Sequence, residues 1–246
     1  MTATDGIEQY YSIITEQLHS VLAAQKPQMA RVAELWAKAI RADRLAYAFG
    51  SGHSRYIAGE LYWRAGGLAP VMLIEEPTNG LAERLEGYAE LFMAGYNIEP
   101  GDLLFVISNS GINPVPIAVA RYGKQAGATV IAVTNLEHSR NTPSRDSSGQ
   151  KLYELADVVL DTMGIRGDAA VPLPGVEWRV APTSTLISVS MLNAIVAQTA
   201  LNLMATGITP PVLISANVPE GDTHNQALCD KYWPRLTHFP RKKATS

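Results

Sequence analysis

The stretch Leu103-Leu104-Phe105-Val106-Ile107-Ser108-Asn109-Ser110-Gly111-Ile112-Asn113-Pro114 runs five apolar residues into a Ser/Gly turn and ends on an Asn-Pro pair. An unbroken apolar run of that length suits a strand covered on both faces. Asn followed by Pro is a helix start, and the pattern predicts a helix over 114–126 closed by Gly127. The same strand, turn and helix recur upstream. Residues 45–49 are a short apolar run, Gly50-Ser51-Gly52-His53-Ser54 is the turn, and a helix is expected over 55–65, stopped by Gly66 and Gly67.

Outward from these two units the alternation continues. Further strands are expected at 71–74, 129–133 and 158–160, with a helical stretch over 80–96. Two helices precede them, 7–24 and 28–41, with Pro27 just inside the start of the second. Residues 184–205 form a long helix, apolar on several sides, that must be buried in the fold or against a second subunit. Strands alternating with helices of about a dozen residues imply an α/β protein: a three-layer α/β/α sandwich on a five-stranded parallel sheet. Two inserts break the rhythm. Residues 135–150 are polar, and 164–182 carry Pro172, Pro174 and Gly175; long loops of this kind are often functional. The expected organisation is a helical arm over 1–41, the α/β domain over 42–215, and a polar loop and tail over 216–246.

Composition removes several classes of function. A formal charge of −3, with basic residues clustered only at 241–243, argues against a nucleic-acid binder. The lone Cys229 offers neither a disulfide nor a thiolate metal site. Residues 1–10 carry Asp5 and Glu8 and lack the features of a secretory leader, and no run of about 18 uninterrupted apolar residues exists. The expected location is the cytoplasm, with no membrane partner.

In open parallel sheets, ligands sit beyond the carboxyl ends of the strands where strand order reverses. If the first and third strands are neighbours, Gly50, Ser51, Gly52, His53 and Ser54 meet Ser108, Asn109, Ser110, Gly111, Ile112 and Asn113. Each turn offers hydroxyls and backbone N–H groups ahead of a helix, which suits a monophosphate held by neutral donors. Gly52 and Gly111 would let the backbone approach it closely. A dinucleotide site is the competing reading, with Glu75 or Glu76 as the ribose-binding acid, but Arg55 occupies the third glycine position of that fingerprint. No Gly-Lys-Ser or Gly-Lys-Thr follows either turn, so a Walker loop is absent.

Three motifs in register, GSGHS at 50–54, SNSGIN at 108–113 and VIAVTN at 130–135, resemble the sugar isomerase (SIS) domain family over roughly residues 30–215. The chain looks most like uncharacterised single-domain members and N-acetylmuramic acid 6-phosphate etherases, and more distantly like phosphoheptose isomerases. The resemblance implies a flavodoxin-like topology, no cofactor, a sugar-phosphate ligand, and a homodimer in which both subunits line each site. It places Ser51, Ser54, Ser108, Ser110 and Asn113 around the phosphate, with Thr183, Ser184 and Thr185 as a further hydroxyl-rich segment. The etherase's first acid falls on Arg64, with Glu60 nearest, while its second lies in a run resembling Glu86-Gly87-Tyr88-Ala89-Glu90. The phosphoheptose isomerase's metal ligands fall on Glu60 and Arg64, so no metal site is expected.

Isomerisation of a sugar phosphate needs a base near the carbon and a proton donor near the carbonyl oxygen. Glu90 is the first candidate base, followed by Glu86, Glu75 and Glu76; a solvated carboxylate is the plain alternative for each. His53, inside the first turn, either touches ligand or caps a helix. His224, in the polar loop, has the ordinary histidine pKa suited to proton transfer near neutrality, or is a surface residue. An etherase-like lyase and a non-catalytic sugar-phosphate sensor are the alternative functions.

Overall fold

The structure is a computed structural model and describes residues 5–236. Helix α1 spans Gly6–Arg41, capped by Asp5, whose carboxylate accepts from the Ile7 and Glu8 N–H groups at 2.9 and 3.1 Å. It is one helix where two were expected, with Pro27 inside it. Proline removes one helical hydrogen bond, but Val21 on one side and Met29, Val32 and Trp36 on the other are buried in the same core, and that shared burial carries the helix across the break.

The central sheet is built from β1 (Ala46–Gly50), β2 (Val71–Ile74), β3 (Leu103–Ile107), β4 (Thr129–Thr134) and β5 (Val158–Asp161), all parallel, in the order β2-β1-β3-β4-β5. Every residue of β1 and β3 is buried, as their unbroken apolar runs require. Period-two alternation sends Ala46, Ala48, Phe105 and Ile107 to one face, with α1, α2 (Ser54–Glu60) and α7 (Ser184–Ala205). Tyr47, Phe49, Leu104 and Val106 go to the other, with α3 (Tyr88–Met93) and α4 (Pro114–Gln125). The three-layer α/β/α sandwich expected from the sequence is the fold.

Three expected elements differ. Helix α2 stops at Glu60 because the chain leaves to pair with residues 211–213: Gly66 N–H donates to Leu213 O and Ala69 N–H to Pro211 O. Only Tyr88–Met93 of the stretch 80–96 is helical, since Gly80 (φ +92°) and Gly87 (φ +74°) hold left-handed turns ahead of it. The region read as a polar loop beyond 216 holds α8 (Gly221–Tyr232) and a 3-10 turn, Trp233–Arg235. His238 and residues 241–243 lie outside the described residues. The first insert carries α5 (Leu136–Arg140) and is followed by α6 (Leu152–Leu155), and the second carries an antiparallel hairpin, β6 (Ala169–Pro172) with β7 (Arg179–Pro182).

Helix α7, with a mean hydropathy of 1.5 in its most apolar window, is long and apolar enough to cross a membrane by length and composition. Here it is half of a helix pair. Ile187, Met191, Ile195 and Leu203 are buried beside α1, Thr199 donates to Ala33 O, and Asn202 reaches Glu34.

Candidate functional site

Strand order reverses between β1 and β3, which pair directly with Gly50 opposite Ile107. Ser51 and Ser108 therefore leave the sheet side by side, and the two serine turns meet at the carboxyl edge. Gly50 is fixed by sterics: a Cβ there would lie 2.2 Å from Ser54 O and 2.8 Å from Arg55 N, because the chain folds straight back over the strand end into α2. Gly52 holds φ +55° with open space where a side chain would go. Gly111, at φ +61°, departs from expectation. Its missing side chain makes room for Thr134 and Ser139, with a Cβ falling 2.9 and 3.2 Å from their hydroxyls, so internal packing rather than ligand approach requires glycine there.

Both Ser51 and Ser108 are buried. The Ser108 hydroxyl accepts from Gly111 N–H at 3.2 Å and so shapes its turn. Ser51 Oγ, Asn109 Oδ1 and Thr183 Oγ1 are buried with no partner among the described residues. Leaving a buried polar group unpaired costs about 1–3 kcal/mol. The backbone N–H groups of Gly52, His53, Ser110, Ile112 and Asn113 find no backbone acceptor among the described residues. Ser54 and Ser110 are half-buried beside them. The arrangement is a cluster of uncommitted donors where the exits of β1 and β3 lie side by side, a site for the crevice expected at a switch point. The mouth of α4 adds none: Pro114 and Pro116 have no N–H, and Val115 N–H donates to Glu83 O at 3.2 Å.

Several expected residues have other work. Glu76 is buried, and its carboxylate accepts from Thr78 N–H, the Thr78 hydroxyl and Gly80 N–H, so it is committed to shaping the loop after β2. That loop packs Gly80 on the first serine turn so closely that a Cβ there would lie 2.6 Å from Gly52 Cα. Burial pushes the Glu76 carboxyl up, but these hydrogen bonds outweigh it and hold the group below its ordinary range. Glu76→Gln should therefore cost about 1–3 kcal/mol in urea denaturation near neutrality. A depressed carboxylate contributes fully above its unfolded value, so the deficit should shrink as pH falls below about 4.

Glu90 is exposed on α3 in a groove with Arg121, Tyr122 and Gln125 on the last turns of α4. At 1.5 Å per residue that is about 12 Å along the helix from Asn113, so the fold does not bring Glu90 to the serine turns. Glu86 accepts from Ser147 N–H at 2.7 Å, tying the chain before α3 to the first insert. His224 lies on α8, its Nε2 2.8 Å from Val212 O, beside the segment entering β2 and so at the opposite end of the strands. His53 is exposed in the first turn, makes no side-chain cap on α2, and stands edge-on to Tyr56 at 5.4 Å. At α7, Asp168 accepts from the Thr183 and Ser184 N–H groups at 3.1 and 2.8 Å and from the Ser184 hydroxyl at 2.6 Å, so part of that hydroxyl-rich segment is already occupied; Thr185 is half-buried beyond it. Neither Asp168 nor Gly80 was singled out from the sequence. The Pro77-Thr78-Asn79-Gly80 turn was the available signal for Gly80.

Beside the first turn, between α2 and the exit of β2, lies a cavity of about 580 Å3 lined by Arg55, Tyr56, Glu60, Glu75, Glu76 and Asn79. Glu60 is engaged there with Arg64 and, at 3.5 Å, with Asn193; Glu75 is exposed. A second cavity, about 540 Å3, lies between Trp63, residues 213–217 and α8. No cluster of three or more His, Cys, Asp or Glu side chains suited to a metal ion occurs among the described residues.

The strand order β2-β1-β3-β4-β5 defines a flavodoxin-like, doubly wound α/β protein with the two serine turns at the switch point. Residues 9–135 match the SIS domain, and the chain belongs to the SIS domain family. It is 39% identical over 239 residues to a UPF0309 protein of Geobacillus kaustophilus, covering 94% of this chain and 95% of the relative. Among solved structures it is similar to the phosphoheptose isomerase GmhA of Neisseria gonorrhoeae, with a TM-score of 0.55 at 16% identity over 78% of this chain and 96% of that one. The Vibrio vulnificus NanR protein complexed with ManNAc-6P gives a TM-score of 0.55 at 17% identity, over 94% and 70% of the two chains.

Proposed function

We propose that this protein binds the phosphate of a phosphorylated sugar or amino sugar in the crevice between the two serine turns and isomerises the sugar by carboxylate acid-base chemistry. The observation that carries the reading is the meeting of two buried serines, Ser51 without a hydrogen-bond partner, with unpaired backbone N–H groups in one crevice. A terminal phosphate has the several acceptor oxygens such donors require. The names of the solved structures, a phosphoheptose isomerase and a protein complexed with ManNAc-6P, support the ligand class.

With its phosphate in the crevice, the sugar extends into the 580 Å3 cavity beside Gly52. Of the three carboxylates lining that cavity, Glu60 is paired with Arg64 and Glu76 is occupied by the hydrogen bonds of its own loop; Glu75 is exposed with its carboxylate uncommitted among the described residues, and it replaces Glu90 as the proposed base. The test is solvent deuterium uptake at the carbon next to the carbonyl. Glu75→Gln should reduce it at least about 100-fold with binding retained, and Glu90→Gln should leave it unchanged; uptake at the original rate in Glu75→Gln removes Glu75 from the role. Binding without exchange in the wild type would favour the sensor. The protein is proposed to work in the cytoplasm as a homodimer, which would let His224 serve a partner's crevice.

A further inference from the structure

The crevice as described holds only neutral donors, and the α4 mouth supplies no unused N–H. A phosphate dianion enclosed by neutral groups still lacks a countercharge. Among the described residues, a cationic side chain hydrogen-bonds to the second serine turn. Arg145, from the first insert, donates through Nη1 to Asn113 Oδ1 at 2.9 Å, and its backbone N–H donates to Ile112 O at 2.8 Å. Asn113 makes no side-chain cap on α4; its carbonyl faces the guanidinium instead, which leaves its NH2 group as a donor. Arg145 forms no ion pair among the described residues.

The surrounding acids are committed elsewhere. Asp146 accepts from Ser148 and pairs with Arg121 at 3.4 Å, Asp161 accepts from the Leu136 and Met163 N–H groups, and Asp168 holds the mouth of α7. The insert is fastened on the C-terminal side of Arg145, by Ser147 N–H on Glu86 and by Leu152 N–H on Gly111 O. The guanidinium is therefore carried by a braced segment. His138, half-buried on α5, is held below its ordinary range by burial and then by Arg166 and Arg145, so two positive charges bear on this rim.

We infer that the 141–150 insert closes the crevice on its β4 side and that Arg145 is a phosphate-binding residue, supplying the countercharge for the dianion held by the serine turns. This rests on the proposed function, and the test separates the two. Inorganic phosphate and glucosamine 6-phosphate are titrated calorimetrically into wild type, Arg145→Gln, Arg145→Lys and Ser108→Ala/Ser110→Ala at fixed ionic strength, with a thermal melt of each variant as the folding control. Arg145→Gln should weaken both probes at least about tenfold without loss of the folding transition, and Arg145→Lys should recover part of the loss. If the serine variant weakens binding and Arg145→Gln does not, this inference falls and the crevice stands. If only Arg145→Gln weakens it, the anion sits on the insert alone and the crevice reading falls. Wild type binding neither probe overturns both.

Discussion

Gly50→Ala is expected to destabilise the protein by about 3 kcal/mol or more and to abolish sugar-phosphate binding. The added methyl would lie 2.2 Å from Ser54 O and 2.4 Å from its carbonyl carbon, both backbone atoms with no rotamer to relax into. Either the strand end or the first turn of α2 must move, and each carries Ser51 away from Ser108. For a chain of this size the cost corresponds to a fall in melting temperature of roughly 6–12 °C. Gly52→Ala is the contrasting control. It meets no atom within 4 Å and is opposed only by its positive φ, so its stability loss should be smaller, about 1–2 kcal/mol.

Ser51→Ala should separate binding from stability in the opposite sense. Its hydroxyl is buried with no partner, so its removal relieves a desolvation cost and the melting temperature should hold or rise. Affinity for a sugar phosphate should drop by about 1–3 kcal/mol, since the hydroxyl becomes paired only when an anion arrives. Ser108→Ala also deletes the bond to Gly111 N–H, so it should lose affinity and about 1 kcal/mol of stability together. A Ser51→Ala protein that melts lower and binds as before would mean that Ser51 serves the fold alone.

The sheet was legible because strands buried on both faces must be apolar without interruption, and residues 103–107 and 71–74 match the observed strands. The turns between strand and helix were legible for the same reason: Ser and Gly directly after such runs have few other uses. What the sequence concealed were bonds between distant segments. Nothing local marks Glu76 as the clamp of its own loop, Asp168 as the cap of a helix 16 residues on, or Arg145 as the partner of Asn113. Glu90 misled because a carboxylate near a matching motif says nothing about which face of the molecule its helix presents. Pro27 misled because proline normally ends a helix, and only the stripe running from Val21 through Trp36 reveals that tertiary burial outweighs the missing hydrogen bond.

The two serine turns can be watched directly in an amide proton–nitrogen correlation spectrum during titration with glucosamine 6-phosphate. The largest shifts should fall on the backbone amides of Gly52, His53, Ser110, Ile112 and Asn113, moving together with one dissociation constant. Shifts confined to residues 213–229, around the second cavity, with the serine turns unmoved, would contradict the account.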